Sequence, residues 1–129
     1  MTVRRTTTYR DAIATAMITA IGTSAQVQVR SGANSTSGGQ GTLLAQLTGN
    51  ASAWGATSSG VLTSNSITAD SSADASGTAG HYQLNTSAGV FLESGLIGGG
   101  DGVTIDNATI VAAQLVQMSG NWVNTMPYA

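Results

Sequence analysis

The chain has 129 residues, enough for one domain with one core, and it carries only four cationic and six anionic side chains, one histidine and no cysteine. So few charges exclude neutralising a run of nucleic-acid phosphates, and the missing thiols exclude a disulfide framework or a thiolate metal site. Ala, Thr, Gly, Ser and Asn make up 76 residues, a vocabulary of small side chains and turn formers that suits closely packed surfaces better than catalytic clefts.

Residues 1–7 read as an extended arm with adjacent positive charges at Arg4 and Arg5. A single-domain, β-rich body follows over 8–129, led by a helix over about 8–22. Thr8 and Asp11 have the spacing of a capping box, Ile13, Met17 and Ile21 recur every four residues, and Gly22 stands where a left-handed C-cap belongs. One face of this helix is expected to be buried. From residue 25 the period becomes two, with Val27 and Val29 alternating with Gln26, Gln28 and Arg30 in a half-buried strand. A turn-rich stretch over 31–41 leads to a strand at about 42–48, a loop carrying Trp54, and a strand over about 60–69.

The stretch 69–80, with Asp70 and Asp74, reads as the longest polar loop. His81–Leu84 and Val90–Glu93 form an expected hairpin across Asn85–Gly89. After the break at Gly98–Gly102, strands over 103–105, 110–118 and 122–126 complete a set of about eight, with Pro127 ending the last. Short strands with Gly-rich turns and no intervening helices predict a mainly β fold, an antiparallel β-sandwich or jelly roll with one N-terminal α-helix. Val, Ile, Leu and Phe number only 25, so the expected core is lean, and a homo-oligomer such as a trimer is the natural way to bury more apolar surface. No apolar run approaches the length of a membrane span, which predicts a soluble protein made in a cytoplasm.

Each candidate site has a simpler structural explanation. His81, Asp70 or Asp74 and a serine compose a triad on paper, but no nucleophile elbow surrounds any serine, and His81 reads as the start of a strand. Asp70 with Asp74, or Asp101 with Asp106, offers oxygen ligands for calcium, yet neither stretch has an EF-hand pattern and Asx turns explain the same residues. The Gly98–Gly102 run lacks the lysine of a P-loop. We therefore expect no enzyme activity and no catalytic, cofactor or metal site. Trp54, Trp122 and Tyr128 would form a sugar-stacking platform if exposed together, although tryptophans in a chain with one Phe read first as core. The expected partner contacts are the arginines Arg4, Arg5 and Arg10, the helix face Ile13, Met17 and Ile21, and the C-terminal Trp122, Met126 and Tyr128.

The order of segments resembles a family of small virion structural proteins of tailed bacteriophages. The resemblance rests on Val-Gln-Val-Arg-Ser-Gly at 27–32, Gly-Thr-Leu-Leu-Ala-Gln-Leu-Thr at 41–48 and Gly-Val-Leu-Thr-Ser-Asn-Ser-Ile-Thr-Ala-Asp at 60–70. It continues through Ala-Asp-Ala-Ser-Gly-Thr-Ala at 73–79, Ser-Ala-Gly at 87–89, the segment from Asn107, and a Met-Pro close. It implies a virion protein made in the host bacterium, most simply a capsid decoration or cement protein whose partners are the major capsid protein or other virion proteins. It supplies no catalytic residues. A receptor- or glycan-binding module of a tail or fibre is the alternative.

Overall fold

The structure is a computed structural model that describes residues 3–98 and 102–126. The fold is mainly antiparallel β and sandwich-like, with one helix at its N-terminal end. Helix α1 spans Thr7–Ile21. Its N-cap is Thr6, not Thr8: the Thr6 hydroxyl accepts from the Tyr9 N–H at 3.2 Å. The capping box fails because Asp11 turns away from its own helix towards a hairpin described below. Gly22 closes the helix with its N–H donating to the Ile18 carbonyl at 3.0 Å, but at φ 73° and ψ −153° it lies outside the left-handed helical region expected of the cap. Ala14 and Ile21 are buried, with Ile13, Met17 and Ile18 packed partly against the core.

Four antiparallel strands form the larger sheet in the order β2-β1-β6-β7: β1 (Gln26–Arg30), β2 (Leu43–Thr48), β6 (His81–Asn85) and β7 (Phe91–Leu96). Register places Val27 between Leu47 and Leu84, and Val29 between Ala45 and Tyr82, so these six side chains share the core face. The opposite face carries Gln26, Gln28, Arg30, Gln46, His81, Gln83 and Asn85 by the same alternation. The expectation of a half-solvated strand is corrected here, since Gln28, His81, Gln83 and Asn85 are all buried.

The turn-rich 31–41 segment folds back onto that polar face, where the Gly39 N–H donates to Gln83 Oε1 at 2.7 Å and the Ser35 N–H to Ser94 Oγ at 3.1 Å. The amides satisfy one another beneath it. Gln28 Nε2 donates to Gln46 Oε1 at 3.1 Å, Arg30 Nε to Gln28 Oε1 at 2.9 Å, and Gln83 Nε2 to Asn85 Oδ1 at 3.0 Å. Pairing of this kind offsets the cost of burying these amides.

A second sheet, in the order β3-β4-β9, joins β3 (Gly55–Ser58), β4 (Val61–Ser64) and β9 (Val123–Thr125), and α1 lies against β3 and β4. Ser59 and Gly60 form the two-residue β3–β4 turn with φ of 52° and 77°, the sign pattern of a type I′ hairpin loop. Short strands β5 (Gly77–Thr78) and β8 (Thr109–Ile110) pair separately. Trp54 and Trp122 sit at the centre of one apolar cluster with Leu44, Leu47, Leu62, Leu84, Val103 and Ile110.

Four expectations along the chain change. The run 60–69 ends as a strand at Ser64, and β3 forms where a loop was read. The 69–80 stretch is not a free loop, because it runs along β2 and contains β5. The 110–118 strand breaks after Ile110 into a turn in which Ala113 adopts φ 68°, and the chain returns only as isolated bridges at Val116 and Met118. The 103–105 segment likewise contributes an isolated bridge at Ile105 rather than a strand.

Candidate functional site

The N-terminal helix, the β3–β4 turn and the C-terminal strand meet in a closed circuit of polar contacts. The Gly60 N–H donates to Asp11 Oδ1 at 2.6 Å, and Thr57 Oγ1 donates to the same oxygen at 3.0 Å. The Met126 N–H donates to the Gly60 carbonyl at 2.7 Å, and Arg10 Nε donates to the Met126 carbonyl at 3.0 Å. Neighbouring residues of one helical turn thus grip two strands. Asp11 was read as a capping residue, and only tertiary structure reveals its acceptor role.

This circuit decides the fate of the expected contact residues. Ile21, Trp122 and Met126 are buried in the chain's own core, so their side chains are corrected from partner contacts to core residues. Ile13 and Met17 pack partly against the same core, and Arg10 is engaged with Met126. Arg4 is exposed, Arg5 is partly covered, and Tyr128 lies outside the described residues. The ring of Trp122 meets Trp54 edge-on, with centroids 5.6 Å apart at 66°. Burial removes both tryptophans from any sugar-stacking platform.

Three other chemistry-bearing groups, His81, Asp70 and Asp106, are committed to internal hydrogen bonds. His81 Nδ1 lies 3.0 Å from the Gly32 carbonyl oxygen, which can only accept, so this nitrogen carries the ring proton. Asp70 accepts from the Gln46 N–H at 2.9 Å and the Ser72 N–H at 3.0 Å, one oxygen for each. Asp106 accepts from Gln117 and Ser119, and these two bonds hold its carboxyl below the usual range. Asp74 is exposed, and Asp101 lies outside the described residues. Of the Gly98–Gly102 turn, 99–101 are likewise outside; the Gly98 N–H donates to the Val103 carbonyl at 2.9 Å. Among the described residues no three His, Asp or Glu side chains cluster as metal ligands, and no helix is long and apolar enough to cross a membrane.

A concavity follows strand β7. A groove of about 520 Å³ is lined by Asn34, Ser35 and Thr36 on one side and by Phe91–Ser94 on the other. Leu92 and Glu93 also border a smaller apolar pocket of about 140 Å³ against Met17, Ala20 and Ile21 of α1. Glu93 is the one carboxylate here. Burial pushes its pKa up from the ordinary 4.5, opposed by the Tyr82 hydroxyl that donates to Oε1 at 3.0 Å.

A raised pKa means that folding favours the protonated acid, so Glu93 costs stability as pH rises above the ordinary carboxylate range. Glu93→Gln keeps an acceptor for Tyr82 and removes the charge. It is expected to raise the melting temperature at neutral pH, by under about 1 kcal/mol of stability since the site is open to water. The gain should vanish in melts recorded as pH falls to the ordinary value of 4.5.

Large apolar side chains supply what the surface offers instead: Val3, Tyr9, Val90, Leu96, Val111 and Leu115 are each more than half exposed. Val111 and Leu115 flank the turn at Ala113, whose backbone is fixed by bonds to Ala73 and Ser76. Single exposed apolar residues are ordinary, but two on a rigid turn form a preorganised contact. No family model matches the chain, and searches of curated proteins and of solved structures returned no match.

Proposed function

We propose that this chain is a structural protein of a tailed-bacteriophage virion, acting on the capsid as a decoration or cement protein that bridges shell subunits. The segment order described above suggests the family. The single observation that carries the reading is the division of labour among side chains. Asp11, Asp70, Asp106 and His81 are spent on internal hydrogen bonds, whereas Val3, Tyr9, Val90, Leu96, Val111 and Leu115 stand out from the surface. A molecule so arranged acts by burying area against neighbours rather than by transforming a ligand.

Cementing is linkage: a protein that binds only the assembled shell stabilises it by mass action, to a degree set by its concentration relative to its affinity for the shell. Few charges need to be desolvated on such contact. The test is imaging of particles made with and without the protein. Loss of capsid-surface density together with earlier DNA release on heating supports the reading. Intact, equally heat-resistant heads with altered tails would overturn it in favour of a tail or fibre module.

A further inference from the structure

The two edges of the four-stranded sheet differ. Beyond β2 the edge is occupied: the Thr48 and Thr68 backbones exchange hydrogen bonds, the Asp70 carboxylate takes the Gln46 N–H, and the Asp74 N–H donates to the Leu44 carbonyl at 2.8 Å. Beyond β7, among the described residues, no strand is paired, and the 34–36 loop, held to the Ser94 hydroxyl through Ser35, forms the other wall of the groove. An unpaired edge with a wall beside it accepts one extended segment more readily than a whole second sheet. We propose that this groove receives the N-terminal arm, Val3–Thr6, of a second copy of the chain, added as a strand beside Phe91–Ser94.

Charge and facing select that occupant. Glu93 is the only charged side chain in the groove, and Arg4 on the arm is exposed. Self-pairing of two β7 edges would instead bring one Glu93 towards another, a like-charge arrangement that opposes association. The irregularity between Leu84 and Asn85 puts Phe91 opposite Asn85 on the polar face and Glu93 opposite Leu84 on the core face. Adjacent residues of an extended arm also point to opposite faces, so Val3 meets Phe91 and the 34–36 wall while Arg4 meets Glu93.

Among the described residues the chain's own arm does not line the groove, and its Val3 and Arg4 are exposed. Because donor arm and acceptor groove are different surfaces, the contact is head-to-tail and closes into a ring, or is exchanged reciprocally in a dimer. It stands on the geometry of one sheet edge and does not depend on the virion reading.

The chain lacks cysteine, which allows a clean test. Val3→Cys and Thr36→Cys, both at exposed positions, are purified as separate full-length proteins and mixed under mild oxidation. Neither can form an internal disulfide. The expected result is a mixed disulfide forming at least roughly tenfold faster than either homodimer, together with roughly tenfold weaker self-association of Arg4→Glu in low-salt sedimentation. A chain that stays monomeric at every concentration, cross-links formed at random, or association unchanged in Arg4→Glu would each overturn the proposal. None of these readouts involves phage particles, so failure here is separate from failure of the virion reading.

Discussion

Trp122→Ala is expected to abolish cooperative folding. The ring is fully buried and supports Trp54 edge-on, and removal of such a side chain costs about 3–5 kcal/mol through lost burial and the cavity left behind. That is a large share of the total stability of about 5–15 kcal/mol usual for a domain, and this core is lean. Trp122→Phe separates packing from polarity. The Nε1 atoms of Trp54 and Trp122 are buried without a hydrogen-bond partner, and a buried unpaired donor costs about 1–3 kcal/mol. Phenylalanine removes one such donor while keeping an aromatic edge for Trp54. Its loss should therefore stay under about 2 kcal/mol. Urea unfolding followed by the remaining Trp54 emission measures both variants; a Phe variant as damaged as the Ala variant would show that the indole N–H carries no penalty.

Asp11→Ala is the second large effect. Its carboxylate is the acceptor for the buried Gly60 N–H and for Thr57, and deletion strands a backbone donor at the centre of the β3–β4 turn. Hydrogen bonds to a charged group contribute about 1.5–3 kcal/mol, so a loss of about 2–3 kcal/mol is expected. Asp11→Asn retains an oxygen in the same place and should cost about half as much. Hydrogen exchange gives a local readout: the Gly60 and Met126 amides should lose protection in the alanine variant before those of β1 and β6 do. Equal protection in all three proteins would mean that the circuit contributes nothing to holding α1 on its sheet.

What was legible in the sequence followed local pattern. Strands β1 and β2 and the β6–β7 hairpin announce themselves because Val27, Val29, Leu47, Tyr82 and Leu84 alternate with polar residues around turn formers. Strand β3 does not, since Gly-Ala-Thr-Ser has no large apolar residue to set a period, and its turn at Ser59–Gly60 reads as the start of the next strand. The run from Ile110 to Val116 has β-forming side chains, yet bonds from Ala112 and Ala113 to Ser76 and Ala73 bend it through a backbone region alanine rarely adopts. Thr8 with Asp11 read as the capping pair, whereas Thr6 caps the helix and Asp11 accepts from Gly60 instead.

The candidate site was less legible for the same reason. Periodicity showed that the helix face and the C-terminal tryptophan would be buried, but not by what, and the answer is the chain itself. Which strand lies at an open edge depends on strand order, a non-local property that no spacing of residues encodes. Glu93 is unremarkable as one acidic residue in a hairpin until the register places it beside Tyr82 and the groove.

The sheltered amide ladder on the larger sheet also sets how the molecule responds to its surroundings. Glutamine and asparagine neither gain nor lose protons in water, and the amide bonds among Gln28, Gln46, Gln83 and Asn85 carry no charge of their own. Dissolved ions therefore have little to screen between these amides. The shape of the molecule is thereby uncoupled from the ionic strength that would govern the proposed Arg4–Glu93 contact, so salt would act on assembly and leave the fold of each copy alone.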